Sequence, residues 1–259
     1  MHDLHETDPV VIEVRGLTTR FGRQVVHDRL DLRIQRGEMV ALIGGSGTGK
    51  SVLVREIIGL QRPTAGEIRL LGTPMWDADD ASLARVRRRF GMMFQDGALF
   101  SSLTVAQNVA AVLDENIRLS PELRDALVQL RLSLAGLPPD AADKLPSQLS
   151  GGMRKRAAIA RAIALEPEVL FLDEPTSGLD PITARAFDAL LNFLNRDLGI
   201  TVLLVTHDLD TLLGIAQRVV VLGQGKVIAD GDIAHVTSVQ DPWIQSYFSA
   251  RKLLPVHGT

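Results

Sequence analysis

Cysteine is missing from this 259-residue chain, and aromatic residues are sparse: one Tyr, two Trp and eight Phe. Without cysteine there is no disulfide scaffold and no thiolate metal site, a composition suited to a reducing compartment. No apolar stretch reaches the roughly 18 uninterrupted residues of a membrane-spanning helix, so a membrane role has to come through a partner. The opening MHDLHETDP lacks the basic-then-apolar layout of a signal peptide, and no leader is expected. An excess of one charge is also absent. The 28 Lys and Arg stand against 31 Asp and Glu, a formal net charge of -3, which offers no global field for nucleic acid or another polyanion. What the chain does have is length for a large α/β core and a cluster of glycines in one place.

That place is Gly44-Gly45-Ser46-Gly47-Thr48-Gly49-Lys50-Ser51, which matches G-x-x-x-x-G-K-S at every fixed position. The apolar run Met39 to Ile43 before it predicts a strand, and the pattern after it predicts a helix reaching about Gly59. These are the flanks the motif requires. The glycines let backbone N–H groups turn inward on phosphates, Lys50 reaches between the β- and γ-phosphates, and the Ser51 hydroxyl suits Mg²⁺.

Val10 to Val14 and Val25 to Ile34 read as strands, the latter with Leu30, Leu32 and Ile34 inward. Between them Thr19-Arg20-Phe21-Gly22 reads as a connection, on which Phe21 either stacks on a purine or anchors the turn by apolar contact. Pro63 to Gly66 turns the chain into a short strand, Glu67 to Leu71. Residues 79 to 89 read as a helix ending in Arg85, Arg87, Arg88 and Arg89, a solvated face or a contact for a partner or nucleotide phosphates. Phe90 to Phe94 is a buried-strand pattern that delivers Gln95 at its carboxyl end, where open α/β sheets place ligands. A glutamine amide there suits a Mg²⁺ contact and the orientation of water.

From 97 to 165 the pattern is almost wholly helical. The expected organisation is a discontinuous α/β core with a β subdomain (1–96 and 166–240), an inserted helical subdomain (97–165) and a docking tail (241–259). Ser150-Gly151-Gly152 opens the last inserted helix, as a second anion site or as an ordinary capping turn. If it is an anion site, a head-to-tail dimer explains it: each copy's Ser150 closes on nucleotide held by the other's Lys50. The basic triplet Arg154-Lys155-Arg156 faces an anion or stays solvated.

Val169 to Leu172 is a core strand delivering Asp173 and Glu174, the first beside a metal and Ser51, the second facing attacking water. Ser177 to Pro181 is a turn, with Asp180 a candidate to approach an opposite protomer, and 183 to 196 is a helix. Thr201 to Val205 is a further strand presenting His207, which donates to a γ-phosphate oxygen or is only structural. Lys226 to Gly231 closes a hairpin. In the tail, Trp243, Ile244, Tyr247 and Phe248 fall at near-helical spacing and dock on their own domain or on a second copy. Pro255 to Thr259 is expected to fray.

These motifs, in this order, resemble the nucleotide-binding subunit of ATP-binding cassette (ABC) transporters over about residues 10 to 235. The resemblance implies an α/β P-loop NTPase of ABC type, with a mixed-sheet core, an antiparallel β subdomain and an inserted α-helical subdomain, hydrolysing ATP with Mg²⁺. It implies Phe21 at the adenine, and Gly44, Gly45, Ser46, Gly47, Thr48, Gly49, Lys50 and Ser51 around the phosphates. Ser51, Gln95 and Asp173 would serve the metal, and Glu174 the general base. Lys50, Gln95 and His207 would serve the γ-phosphate, with Ser150, Gly151 and Gly152 acting across a dimer.

Met153 departs from the family's usual Gln. The phosphate contacts there come from Ser150 and helix-end amides, so hydrolysis is expected to survive the change. Leu149 to Arg156, together with Phe94 to Phe100, is similar to the Mla/Mce-type subgroup that energises phospholipid traffic between bacterial inner and outer membranes. That likeness implies a second copy of the chain, a multi-span permease, an Mce-domain protein and a small regulatory subunit of the sulfate-transporter/anti-sigma-antagonist type. It implies no nucleic acid, and a place on the cytoplasmic face of the inner membrane. The alternatives are an ABC transporter for another solute and an envelope cell-division ATPase. Repair ATPases of this superfamily carry long coiled coils or zinc modules, and translation-associated members fuse two cassettes; neither pattern is present.

Overall fold

A computed structural model describes residues 9–95 and 97–249. The N-terminal stretch and the expected fraying at Pro255 to Thr259 lie outside the described residues. The chain opens on a hairpin of two long strands, β1 (Val10–Phe21) and β2 (Gln24–Gln35). Phe21 therefore ends a strand rather than sitting on a loop, because the pairing runs to Phe21 opposite Gln24. β3 (Met39–Gly44) leads through the glycine loop into α1 (Lys50–Ile57). β4 (Ala65–Leu70) starts earlier than its apolar residues suggest, because Gly66 (φ 99°) lies too close to the Gly16 and Leu17 backbone for any side chain. β5 (Thr73–Pro74), which the sequence did not announce, completes a four-stranded antiparallel sheet in the order β2-β1-β4-β5.

After α2 (Asp80–Arg87) and β6 (Phe90–Met93) come three helices, α3 (Val105–Asn116), α4 (Pro121–Leu134) and α5 (Gly151–Ala162), before β7 (Val169–Asp173). α6 (Pro181–Arg196) begins two residues before its expected start, since Asp180 caps the Ile182 and Thr183 N–H groups and Pro181 takes the first turn. β8 (Thr201–Val205), α7 (Leu209–Ile215), β9 (Arg218–Gly223) and β10 (Lys226–Gly231) follow. α8 (Ile233–Ser238), also unforeseen, and α9 (Pro242–Ser249) end the described chain. The six-stranded sheet runs β10-β9-β3-β8-β7-β6, parallel except for β10.

Strand alternation divides this sheet between two cores. Met39, Ala41 and Ile43 face the helical side, with Val202, Leu204, Phe187 and Leu191. Val40 and Leu42 face the antiparallel sheet, with Leu203, Val205, Phe171, Leu53 and Ile57. Burial on both faces explains why β3, β7 and β8 read as continuous apolar runs. Each of these side chains larger than Ala41 contributes about 1.5–3 kcal/mol.

The run Arg85, Arg87, Arg88 and Arg89 is exposed, as a solvated face would be, though part of each basic run is engaged within the chain. Arg89 meets Glu168 at 2.5 Å, although Arg87 and Arg88 line an open groove. Within Arg154-Lys155-Arg156, Arg156 donates to the Ala135 and Ala186 carbonyls, and Lys155 is buried. Helix packing has recruited Lys155 and Arg156, while Arg154 stays exposed.

Candidate active site

Parallel register brings the polar strand ends together. β8 lies between β3 and β7, and β6 flanks β7, so Gly44, Val205, Asp173 and Met93 end neighbouring strands. The chain just beyond them carries the glycine loop, His207, Glu174 and Gln95. This is the carboxyl edge where a doubly wound sheet holds its ligand.

In the loop, Gly49 adopts φ 94°, and a Cβ there would come within 2.5 Å of His27 Nε2 and 2.6 Å of Val26 Cγ1. Only glycine fits. Lys50 Nζ donates to the Gly44 and Gly45 carbonyls at 2.8 and 3.0 Å, so the ammonium lies over the loop. Burial lowers the Lys50 pKa, while the charges of Glu174 and Asp173 act in the opposite direction. A cleft of about 300 Å³ opens here, lined by Phe21, Gln24, Val26, Gly47, Gly49, Lys50, Ser51 and Val52. Phe21 is 51% exposed at its rim. That placement leaves a ring face available to a planar base.

Asp173 accepts a hydrogen bond from Ser51, and its pKa is raised, first by burial and then by the neighbouring Glu174 charge. A hydroxyl and a carboxylate in contact, with a second carboxylate adjacent, form an oxygen donor set that a divalent cation would relieve electrostatically. Mg²⁺ fits these residues. Glu174 stands at φ 50°, an uncommon conformation for a side chain of this size. His207 Nδ1 lies 2.7 Å from its Oε1 and the His207 N–H 3.4 Å from Oε2. The His207 side chain is 72% exposed and that of Glu174 13%, so the imidazole is the outward member of the pair. Gln95 is exposed on the turn after β6.

Ser150 caps α5, accepting from the Met153 N–H at 3.3 Å. Gly152 packs against α6, where a Cβ would meet Thr183 Cγ2 at 2.6 Å. Neither residue, nor Gly151, lines the cleft over Lys50. Asp180 is engaged within its own chain by the Thr183 hydroxyl and two N–H groups.

Two features of the site go beyond the sequence reading: a buried polar cluster, and the contact that the tail helix makes with the catalytic edge. Beneath Gly49, Thr19, His27 and Glu56 form a buried polar cluster. Thr19 Oγ1 donates to Glu56 Oε1 at 2.6 Å, and His27 Nε2 reaches the Gly49 carbonyl at 3.2 Å. His27 Nδ1 lies 3.2 Å from Thr19 Oγ1 and 3.1 Å from Glu56 Oε2, the latter without forming a hydrogen bond. A carbonyl only accepts, and the Thr19 hydrogen is already given to Glu56, so both ring nitrogens meet acceptors. The second feature is α9. Ile244 is fully buried in the helical-side core, and the Tyr247 hydroxyl donates to the His207 carbonyl at 3.1 Å. Trp243 stacks on Tyr247 with ring centroids 5.0 Å apart, and its indole flanks Gly45. Of the two dockings open to the tail, α9 takes the one on its own chain.

A phosphate loop after one parallel strand, a histidine after the strand beside it and carboxylates at the end of the next strand along define a P-loop nucleotide hydrolase. The family model described as ABC transporter matches residues 27–177, and the chain belongs to that family as an ATP-hydrolysing subunit. It is 38% identical to the intermembrane phospholipid transport system ATP-binding protein MlaF of Haemophilus influenzae, over 95% of this chain and 93% of that protein. It is 41% identical to the methionine import ATP-binding protein MetN of Brucella abortus, over 93% of this chain and 65% of that one. Among solved structures, the dimeric post-hydrolysis state of the cassette MJ0796 bound to ADP and Pi superposes with a TM-score of 0.78 at 34% identity, covering 86% of this chain and 98% of that one. CbiO1 from Clostridium perfringens gives 0.79 at 31%, covering 95% and 93%. Among the described residues no helix is long and apolar enough to cross a membrane.

Proposed function

We propose that the chain is the motor of a bacterial transporter moving phospholipid between inner and outer membranes, seated on the cytoplasmic face through a permease. The observation that carries this is the near end-to-end likeness to MlaF, 38% over 95% of this chain and 93% of the relative. The groove between α3 and α4, about 510 Å³ and lined by Leu103, Ala106, Ala110 and Val128, is the proposed seat for the permease. The helical insertion 97–165 would thus be the arm that meets the membrane subunits. An Mce-domain protein and a small regulatory subunit of the sulfate-transporter/anti-sigma-antagonist type complete the proposed assembly.

In the proposed mechanism the Lys50 ammonium and the loop amides bind the β- and γ-phosphates, and Phe21 packs on the adenine. Ser51, Asp173 and Gln95 would hold Mg²⁺, which supplies charge neutralisation when bound. Glu174 Oε accepts a proton from the attacking water, and His207 fixes that carboxylate and faces the γ-phosphate. No residue from 149 to 153 of the same chain lines the cleft over Lys50, and in this reading a second copy's Ser150, Gly151 and Gly152 would close it.

Isolating the tagged chain from native membranes in mild detergent, with mass spectrometry of bound proteins and lipids, tests the reading. An Mce-domain protein, a multi-span permease and phospholipid are expected. The 41% identity to a methionine import protein favours a second reading, a transporter of another solute. A permease with a soluble-solute-binding protein would establish that reading and overturn the lipid one.

A further inference from the structure

Helix α5 reaches its own chain's catalytic edge as well as the proposed dimer contact. Lys155, one turn beyond Ser150, is buried, and its Nζ donates to the Gln95 carbonyl and to the Glu174 carbonyl, the latter at 3.1 Å. Those two residues follow adjacent parallel strands, paired as far as Met93 and Leu172. Further along the helix, Arg161 donates to the Gly97 and Ala98 carbonyls at 2.9 and 2.6 Å. One helix therefore grips both the glutamine turn and the backbone of the carboxylate proposed to activate water.

The grip on Glu174 matters because its backbone is held in a left-handed conformation, at φ 50°. Such a residue persists only when several contacts determine it. Here they are the Glu174 N–H to the Val205 carbonyl at 2.9 Å, the Ser177 N–H to the Glu174 carbonyl at 3.3 Å, and Lys155. Lys155 is the one of these donors that belongs to the helix carrying Ser150. A displacement of the α5 N-terminus carries Nζ with it, and Nζ is joined to both carbonyls.

We infer that Lys155 is a positioning residue that couples nucleotide engaged by one end of α5, across the dimer, to the Glu174 and Gln95 geometry in its own chain's site. This rests on the proposed dimeric site. Its consequence is that each copy's hydrolysis responds to the site that the copy completes in its partner.

The test is a cycle of Ser150→Ala, Lys155→Met and the double variant in the full chain. Steady-state ATP hydrolysis is measured, with binding of a fluorescent ATP analogue and the thermal midpoint recorded for every variant. Lys155→Met keeps the length and apolar bulk of the side chain and removes the donors. It is expected to lower kcat by about 10- to 100-fold while KM moves less than about threefold. Lys155→Arg, which restores a donor, is expected to recover a large part of the rate. The double variant is expected to lose far less than the product of the two single losses. Multiplicative losses overturn the coupling. A Lys155→Met enzyme with normal kcat, or one whose lost rate follows lost analogue binding and is not restored by Arg, overturns the positioning role. A Ser150→Ala chain with the wild-type rate overturns the dimeric-site reading instead.

Discussion

The buried cluster beneath the phosphate loop allows stability and nucleotide binding to be separated by mutation. Replacing Glu56 with Leu removes the acceptor of the Thr19 hydroxyl, 2.6 Å away, and the carboxylate 3.1 Å from His27. Removing one member of a buried polar cluster costs about 3–5 kcal/mol, part of which is the stranded hydroxyl. For a chain of this size that lowers the midpoint by roughly 6–20 °C. The double variant His27→Phe/Glu56→Leu strands only Thr19 and is expected within about 2 kcal/mol of wild type, since apolar replacement of a whole buried pair is often neutral. Binding should behave otherwise. Both His27→Phe and the double variant lose the ring N–H that faces the Gly49 carbonyl at 3.2 Å, so KM for ATP is expected to rise in each. Denaturant titrations without nucleotide, so that binding does not add to stability, are paired with ATPase kinetics. A Glu56→Leu chain within 1 kcal/mol of wild type, or a double variant as unstable as the single, would refute the reasoning.

Three further outcomes are expected. Glu174→Gln is expected to bind ATP normally and to lose about 10²-fold or more in kcat, as removal of a general base implies; an unchanged rate removes the assignment. Asp188 has its pKa pushed up to about 6, first by burial and further by the Asp208 and Asp210 charges, from an ordinary 3.8. The folded state therefore holds this proton more tightly than the unfolded one, giving stability that is present below about pH 4 and lost as pH rises through about 6. Asp188→Asn is thus expected to stabilise at pH 7.5 by on the order of 1 kcal/mol after solvent screening and to do nothing at pH 4, which thermal melts at the two pH values would show. Tyr247→Phe removes the donor to the His207 carbonyl, and kcat is expected to fall about 2- to 10-fold with ATP binding intact. If the rate holds while the thermal midpoint drops, α9 only supports the fold.

The α/β class and most residues at the sheet's carboxyl edge were legible because they follow the apolar runs of β3, β7 and β8, whose burial on both faces leaves little ambiguity. β8 was expected at 201–205 and is found there. The Thr19-His27-Glu56 cluster was not legible, for a geometric reason. Leu30, Leu32 and Ile34 set an alternation that points His27 outward, but Arg29 adopts φ 51° and the pairing slips between Leu17 opposite Leu30 and Thr19 opposite His27. That bulge turns His27 inward. Its only local signal is an Asp-Arg pair within a strand, which is weak. The burial of Lys155 was hidden for a different reason. A basic residue near a helix N-terminus reads as solvated or anion-facing until the carbonyls at the ends of two distant strands are known to converge on it.

The strand order has a consequence for how the chain is made. β3, which carries the phosphate loop, pairs on one side with β8 and on the other with β9. Nothing synthesised before residue 201 can occupy either place. At roughly 5–20 residues per second, the loop strand leaves the ribosome and waits about 8–30 s for a neighbour. During that interval both its edges are open to pairing with another nascent chain. The hairpin of β1 and β2, already complete and adjacent in sequence, is the natural cover for β3 through that wait, since Val40 and Leu42 pack towards it. Chains released before β8 would therefore be hazardous to the cell as well as inactive, because they present an apolar strand whose partners never arrive.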